Sequence, residues 1–360
     1  MWRPIQLDQV VGQKHITDTL KQASKNKEFV HAYLLSGNHG SGKTSTARIL
    51  ATLMTCENVK DGVVCGECRA CKTIHKGASL DVKELDGATH RGIDDVKVLI
   101  DSAQWGPSEL SRKVYIIDEF HQLTKEATSA LLKILEEPPS YLSFILCTTE
   151  IQKILPTILS RCQRFNFGKI SSKEISCRLT EIAQKEQILI EQDAIYHLAR
   201  MSRGSMRDAI GSLEQIGTLA NSRNITAKIV RGYFGMSDKS AINGIVKSIL
   251  DAKIPVLLDQ INDLAMASVD ARQIMLEISE TFRNIMLLKV QNEHSNLVDL
   301  PDVEIATLKE FGKSLKLQQL IKLAQIFSDI EKKMSFNINE RWIMEATLIN
   351  CIATLRKNNQ

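Results

Sequence analysis

The sequence predicts an α/β domain, a parallel sheet with helices on both faces, followed by two all-helical regions. Three observations carry that expectation. Residues 1 to 168 alternate short apolar, strand-like runs with helix-like stretches, the order that lays parallel strands under crossover helices. After Gly168 the strand signal fades and short helical segments follow one another. Beyond Gly235 only Gly244, Gly312, Pro255 and Pro301 punctuate the chain, and apolar positions recur at helical spacing. The boundaries are therefore expected at 1–168, 169–235 and 236–360.

In chain order, the apolar runs place strands at 32–35, 80–85, 113–118, 142–148 and 163–167. Helices fill the intervals at 43–54, 93–105, 124–136 and 156–161. The second region reads as four short helices, 173–186, 192–202, 206–219 and 227–233. In the third, Ile242, Ile245, Val246 and Ile249 mark one helical face, and the polar end 357–360 reads as frayed.

A chain of 360 residues has room for two or three domains, each with its own core. With 43% hydrophobic and 24% charged residues the composition is that of a soluble globular protein. No signal-peptide pattern and no uncharged apolar stretch of membrane-spanning length occurs, so no membrane partner is expected and a cytoplasmic location is the default. The net charge of +4 is mild, so any nucleic-acid contact must come from a local arrangement, not bulk charge.

Residues 37 to 44 read GNHGSGKT, a complete G-x-x-x-x-G-K-[ST] phosphate loop between the first strand and the first interval helix. Its glycines, Gly37, Gly40 and Gly42, let the backbone wrap phosphate oxygens, with Asn38, His39, Ser41 and Ser45 completing the cradle. Lys43 reaches the terminal phosphates, and the Thr44 hydroxyl serves Mg²⁺. ATP or GTP is therefore the expected ligand. Further on, VYIIDEFH at 114–121 is a buried strand whose tip carries two carboxylates. Asp118 would hold the Mg²⁺ and Glu119 would polarise the water that attacks the γ-phosphate. Together the two motifs define a P-loop NTPase. The strand FILCTTE then brings Thr149 to the phosphate side, where its hydroxyl could sense the γ-phosphate.

Eight cysteines divide into a cluster, Cys56, Cys65, Cys68 and Cys71, and a scattered set, Cys147, Cys162, Cys177 and Cys351, read as small buried hydrophobes. Four thiolates within residues 56–71 suffice for a closed tetrahedral Zn²⁺ site. An iron–sulfur cluster competes, but its C-x2-C-x2-C run needs a further cysteine followed by proline, which residues 72–75 do not supply. A disulfide is disfavoured by a reducing compartment. A closed zinc site leaves no open coordination position, so it is given no catalytic role.

The order GNHGSGKT, DEFH, LEEPP (135–139), CTTE and SRC (160–162) resembles the AAA+ core of clamp loaders, most of all the gamma/tau family of bacterial DNA polymerase III. The resemblance covers essentially the whole chain. It implies an AAA+ core with an inserted zinc module at about residues 55–75, then a helical lid and an all-α collar that joins subunits in a hetero-pentamer. It implies that Arg161 is a finger completing a neighbour's ATP site, and that Arg207, in GSMRDA, is a second sensor of the nucleotide. In WRPIQLDQVVGQ it assigns Arg3, Pro4, Val10, Val11 and Gly12 to the segment around the adenine. The family usually carries a few residues ahead of that segment, so a slightly trimmed start is expected, and its longer form continues into polymerase- and helicase-tethering domains. Arg91 and Lys97, in ATHRGIDDVK, fall where the family touches primer–template DNA through its backbone, with Asp94 and Asp95 beside them. The function so implied is an ATP hydrolase within the DNA polymerase III holoenzyme that loads the sliding clamp onto primed DNA. The competing expectations are another AAA+ DNA motor, for branch migration or helicase loading, and a non-hydrolysing nucleotide-binding scaffold.

Overall fold

The computed structural model describes residues 2–219, 224–234, 239–267, 269–290, 298, 300, 302–328, 334 and 339–357. The expected boundary at 235/236, the punctuating Pro301 and residues 358–360 of the polar end lie outside them. The chain divides into two compact units, Met1–Ile225 and Thr226–Gln360.

The first unit is built on five parallel strands, β1 (Ala32–Gly37), β2 (Val82–Asp86), β3 (Lys113–Asp118), β4 (Leu142–Thr148) and β5 (Gln163–Phe167), ordered β2-β3-β4-β1-β5. Successive side chains of a strand point to opposite faces, and both faces here are covered. Tyr33, Leu35, Val114, Ile116, Ile145 and Cys147 pack with α1 (Lys14–Asn26) and α2 (Lys43–Thr55). Their neighbours Ala32, Leu34, Tyr115, Ile117, Phe144 and Leu146 pack with α4 (Ile93–Ala103), α5 (Lys125–Glu136) and α6 (Pro156–Leu159), while α3 (Arg69–His75) lies within the cysteine segment. The doubly covered parallel sheet is the fold the sequence predicts.

Several edges differ from the sequence reading. β2 spans Val82–Asp86, and just before it the Asp81 carboxylate accepts the backbone N–H groups of Ser108, Glu109 and Leu110 at 2.7–2.9 Å, tying that residue to the loop before β3. α4 ends at Ala103, and α6 ends at Leu159, where Ser160 is the C-cap and Arg161 lies in the closing turn. α1 and α3 are additions. α1 buries Ile16, Leu20 and Ser24 at four-residue spacing, a stripe polar enough to escape a reading based on apolar runs. Among the scattered cysteines, Cys147, Cys162 and Cys351 are buried, but Cys177 is exposed. It sits on α7 (Ser172–Lys185), whose core face is Ile175, Leu179 and Ile182, and position 177 points the other way.

Three helices complete the unit, α7, α8 (Gln192–Met201) and α9 (Met206–Leu219). α7 starts in a full capping box, Ser171 with Glu174, which fixes where the helical part begins.

The second unit holds α10 (Ala227–Tyr233), α11 (Lys239–Leu250), α12 (Ile254–Met266), α13 (Ala271–Val290), α14 (Asp302–Lys313), α15 (Leu317–Ser328) and α16 (Glu340–Lys357). Ile242, Ile245, Val246 and Ile249 are buried as their spacing predicts, in a core with Phe282 stacked on Phe327 at 5.9 Å. No helix among the described residues is long and apolar enough to cross a membrane.

Candidate functional site

Strand order explains why motifs distant in sequence meet. β4 lies between β1 and β3, so the loop leaving β1 and the turn leaving β3 open on the same, carboxyl edge of the sheet. That edge is where open α/β sheets bind ligands. Gly40 and Gly42 adopt φ of 68° and 102°, and a Cβ at Gly40 would sit 1.9 Å from Ser205 Oγ, so the loop needs glycine there on two counts. Gly42 ends the loop and starts α2, whose first backbone N–H groups face the cradle formed by residues 37–42. Lys43 is 6% exposed, and its Nζ donates to the carbonyls of Gly37 and Asn38 at 2.8 and 2.7 Å. Burial pushes its ammonium below the usual lysine range, and the Glu119 and Asp118 carboxylates pull the other way. Ser41 bonds the Asn38 carbonyl at 2.8 Å, and Ser45 lies one residue beyond Thr44 in the first turn of α2.

Thr44 Oγ1 donates to Asp118 Oδ2 at 2.7 Å. This one contact joins the phosphate loop to the tip of β3, and it pairs the hydroxyl and carboxylate that suit a hard divalent cation. The other Asp118 oxygen accepts the Glu119 N–H at 3.0 Å. Glu119 stands at φ 45°, ψ 44°, a left-handed conformation that costs a non-glycine residue about 1–2 kcal/mol. β4 ends at Thr148, one residue before Thr149, which frees the Thr149 side chain from the ladder. Its hydroxyl donates to Glu119 Oε2 at 3.0 Å, so the expected phosphate sensor and the expected base are directly bonded.

The N-terminal segment lies against this loop. Val10 is buried, with Cγ1 3.6 Å from where a Gly42 Cβ would stand. Val11 and Pro4 are partly buried and Arg3 is exposed. Gln13, fully buried, exchanges two hydrogen bonds with Gly168 at 2.8 and 3.2 Å, and the Trp2 indole donates to Glu186 on the α7 side at 3.0 Å. From the helical side, the Met206 N–H donates to the Gly40 carbonyl at 3.0 Å, and Arg207, next in α9, is exposed. The start of α9 thus touches the phosphate loop directly.

Arg161 is at the other edge of the sheet. It precedes β5, whose Gln163 pairs with Tyr33, whereas the phosphate loop leaves β1 after Gly37, opposite Phe167. Four residues of strand, about 13 Å, separate those levels. Its guanidinium pairs with Glu136 Oε1 at 2.6 Å. Arg91, exposed just before α4, donates to Gln122 Oε1 at 3.0 Å and to the Ala88 carbonyl, and Lys97, exposed on α4, stands 3.8 Å from Asp94.

The four clustered cysteines converge. Their sulfur atoms all lie within 4.8 Å of one another, and the close pairs, Cys56–Cys65, Cys56–Cys71, Cys56–Cys68 and Cys65–Cys71, are 3.6, 3.7, 3.8 and 3.9 Å apart. A tetrahedron with metal–sulfur bonds of about 2.3 Å has edges of about 3.8 Å. The backbone N–H groups of Cys68 and Cys71 point at the sulfurs of Cys65 and Cys68, which favours thiolate. Backbone N–H groups of Cys68 and Glu67 bring the Cys65 thiol down to about 6, while burial pushes Cys56 and Cys71 up.

Comparison with known proteins follows the same division of the chain. Residues 12–171 match the family model for the DNA polymerase III delta subunit, 174–217 that for the DNA polymerase III clamp loader subunit ATPase lid domain, and 225–358 that for domain III of DNA polymerase III subunits gamma and tau. The chain is 35% identical over 361 residues to DNA polymerase III subunit tau of Bacillus subtilis, covering 98% of this chain and 62% of that protein. It is 38% identical over 345 residues to subunit gamma/tau of Mycoplasma genitalium, covering 96% and 56%. This chain belongs to the DNA polymerase III gamma/tau family. It spans about half the length of many gamma/tau relatives, 54% in the case of subunit tau of Escherichia coli, to which it is 30% identical. Among solved structures, the Thermotoga maritima RuvB Holliday junction branch migration motor superposes with a TM-score of 0.51 at 20% identity, over 77% of this chain and 91% of that one. At that identity the likeness shows a shared fold alone, and the sequence relatives place this chain in the gamma/tau family.

Two partners of the expected site residues carry no signal in the sequence. Glu136 belongs to LEEPP and His121 to DEFH, motifs that were read without a role for either residue. Their partners, Arg161 and Glu119, lie 25 and two positions away, pairings that no periodicity announces.

Proposed function

We propose that this chain is an ATP-hydrolysing motor subunit of a clamp loader, which couples ATP binding and hydrolysis to placing a sliding clamp on primed DNA. The observation that carries the reading is the Thr44–Asp118 contact of 2.7 Å, which sets a complete phosphate loop beside a second carboxylate, Glu119. In it, the glycine loop and the start of α2 bind the phosphates through backbone N–H groups. Lys43 exchanges its two loop carbonyls for phosphate oxygens, and Thr44 and Asp118 hold Mg²⁺. That cation supplies charge neutralisation at the terminal phosphates. Glu119 orients and polarises the attacking water, and Thr149, bonded to Glu119, senses the γ-phosphate.

The contact of α9 with Gly40 supports a sensing role for Arg207, because a shift of the loop is felt at the helix start. Arg161, held at the amino edge of the sheet, serves a neighbouring subunit's ATP, which makes efficient hydrolysis a property of the assembly. Arg3, Pro4, Val10 and Val11 border the adenine, residues 169–235 act as lid and 236–360 as collar. The four clustered cysteines hold a structural Zn²⁺, a reading supported by sulfur spacings that match a tetrahedral thiolate site. Other loader subunits, the clamp and primer–template DNA are the partners, the last met by Arg91 and Lys97 through phosphates.

The test is ATP turnover with and without partner subunits, clamp and primed DNA, for the unaltered chain and for Glu119→Gln. The reading requires turnover that rises on assembly and is lost in the variant while ATP still binds. Full turnover by Glu119→Gln in the complex would overturn it.

A further inference from the structure

The turn after β3 carries a buried ionisable side chain for which the hydrolysis scheme has no use. The side chain of His121 is 6% exposed and is inserted among oxygens of two elements. Its Nδ1 lies 3.3 Å from Glu119 Oε2 and 3.2 Å from Thr148 Oγ1, and its Nε2 lies 3.2 Å from Glu150 Oε1. Glu150 is in turn bonded by Lys153 at 2.8 Å. On the other side, Glu119 Oε2 accepts the Thr149 hydroxyl at 3.0 Å, and His39 of the phosphate loop reaches only to 3.6 Å of Oε1, with its side chain 78% exposed.

We propose that His121 is a positioning residue that holds the Glu119 carboxylate against the end of β4. The inference rests on reading Glu119 as the group that polarises water. His121 touches no reacting atom in this scheme and acts through Glu119.

Three physical points carry it. Glu119 leaves its strand through a left-handed backbone, so its side chain is not fixed by regular structure and depends on partners for one orientation. Thr149 alone supplies one bond, which permits rotation about the carboxylate; a second contact from a rigid ring removes that freedom. The ring itself is oriented from behind by Glu150 and Lys153, the arrangement in which a catalytic group is held by a second residue and that residue by a third. A misplacement of about 1 Å is enough to cost about a hundredfold in rate.

The two ring nitrogens provide the test, because different amides mimic different edges of the ring. In His121→Asn the side-chain amide stands near the Nδ1 position, facing Glu119; in His121→Gln it reaches the Nε2 position, facing Glu150; His121→Ala keeps neither. Each variant is measured in the chain assembled with partner subunits, clamp and primed DNA, for ATP affinity and for kcat separately. The expected result is unchanged ATP affinity in all three, kcat lower by about 10-fold to 100-fold in the Gln and Ala variants, and Asn within about threefold of the unaltered chain. If Ala fails to fold, the Asn and Gln pair decides, since both keep a polar side chain in the same space. Equal kcat for Asn and Gln, or wild-type kcat throughout, overturns the proposal. Glu119→Gln separates the two levels. Loss of hydrolysis there together with unaltered kcat in the His121 variants removes the positioning role alone, whereas retained hydrolysis in Glu119→Gln removes the underlying reading and this one with it.

Discussion

The Arg161 guanidinium donates to Glu136 Oε1 of its own chain at 2.6 Å and to the Thr157 carbonyl at 2.7 Å. Both bonds hold it at the edge where β5 begins, about 13 Å along the sheet from the level of the phosphate loop, beyond the reach of one arginine side chain. The pair is solvent-exposed, with side chains 32% and 49% accessible, so it adds less than about 1 kcal/mol to stability and can be given up to a stronger anion. Arg161→Ala should therefore leave ATP binding and melting temperature of the isolated chain unchanged, and lower turnover in the assembled complex by about a thousandfold or more. Mixing the variant with unaltered subunits locates the defect, since an arginine acting in trans costs the neighbour's site and leaves its own intact. An equal effect on the isolated chain would show that Arg161 acts in cis.

Lys43 is desolvated within its own loop and donates to two of that loop's carbonyls. Replacing a buried charge by an apolar side chain of similar length removes a desolvation penalty together with those bonds. Lys43→Met is thus expected to melt within a few degrees of the unaltered chain. Its affinity for ATP should fall by about 3 kcal/mol, a factor of about 150 in Kd, because charge-assisted bonds to phosphate are lost. Calorimetry and equilibrium binding check the two halves separately, and a collapsed melting temperature would mean that Lys43 is chiefly structural.

What was legible in the sequence is what short-range pattern encodes. β3, β4 and β5 appear where their apolar runs put them, and GNHGSGKT and DEFH mark the loop and the strand tip that strand order then brings together. α1 was not legible, because Thr17 and Ser24 share its buried stripe with Ile16 and Leu20 and dilute the apolar signal. The Thr149–Glu119 and His121–Glu119 contacts depend on the crossing of a turn and a strand end, a relation fixed by tertiary packing. Cys177 failed for the opposite reason: residue type suggested burial, and helical phase decided against it.

Asp81 gives the fold a dependence on acid. Burial alone would raise its pKa, but the N–H groups of Ser108, Glu109 and Leu110, with Lys113, outweigh it and hold the carboxyl below the usual aspartate range. A carboxyl whose folded pKa is depressed stabilises the protein above its unfolded pKa of about 3.9 and loses that contribution as pH falls through the folded value. Stability should fall below about pH 4, and Asp81→Ala should flatten that limb while destabilising the neutral protein by about 2 kcal/mol, leaving three backbone donors unpaired. Denaturant titrations at pH 3 and pH 7 distinguish this from a general charge effect, which would leave the slope of the variant unchanged.

The cysteine cluster yields the last prediction. Cys56 closes α2, Cys68 caps α3, and Cys71 is buried against the same core as β1 and β4, so whatever binds the four sulfurs fastens the segment between two helices to that core. Burial pushes Cys56 and Cys71 toward the neutral thiol while the N–H groups of Cys68 and Glu67 draw Cys65 toward thiolate. A divalent cation that takes thiolate ligands would deprotonate all four, and zinc is the occupant expected from the proposed structural site. One Zn²⁺ per chain is expected, released by a mercurial thiol reagent and lost in Cys68→Ser. Loss should lower the melting temperature by at least about 5 °C, the shift that about 2 kcal/mol gives in a unit of this size. Affinity for ATP should change little, because Lys43, Thr44 and Asp118 are held by their own bonds at the far end of α2. Cys177→Ser, on an exposed helix face, supplies the control and should alter neither metal content nor melting. Metal analysis finding no zinc in the unaltered chain, with a melting temperature indifferent to chelators, would reduce the four sulfurs to a packed thiol cluster.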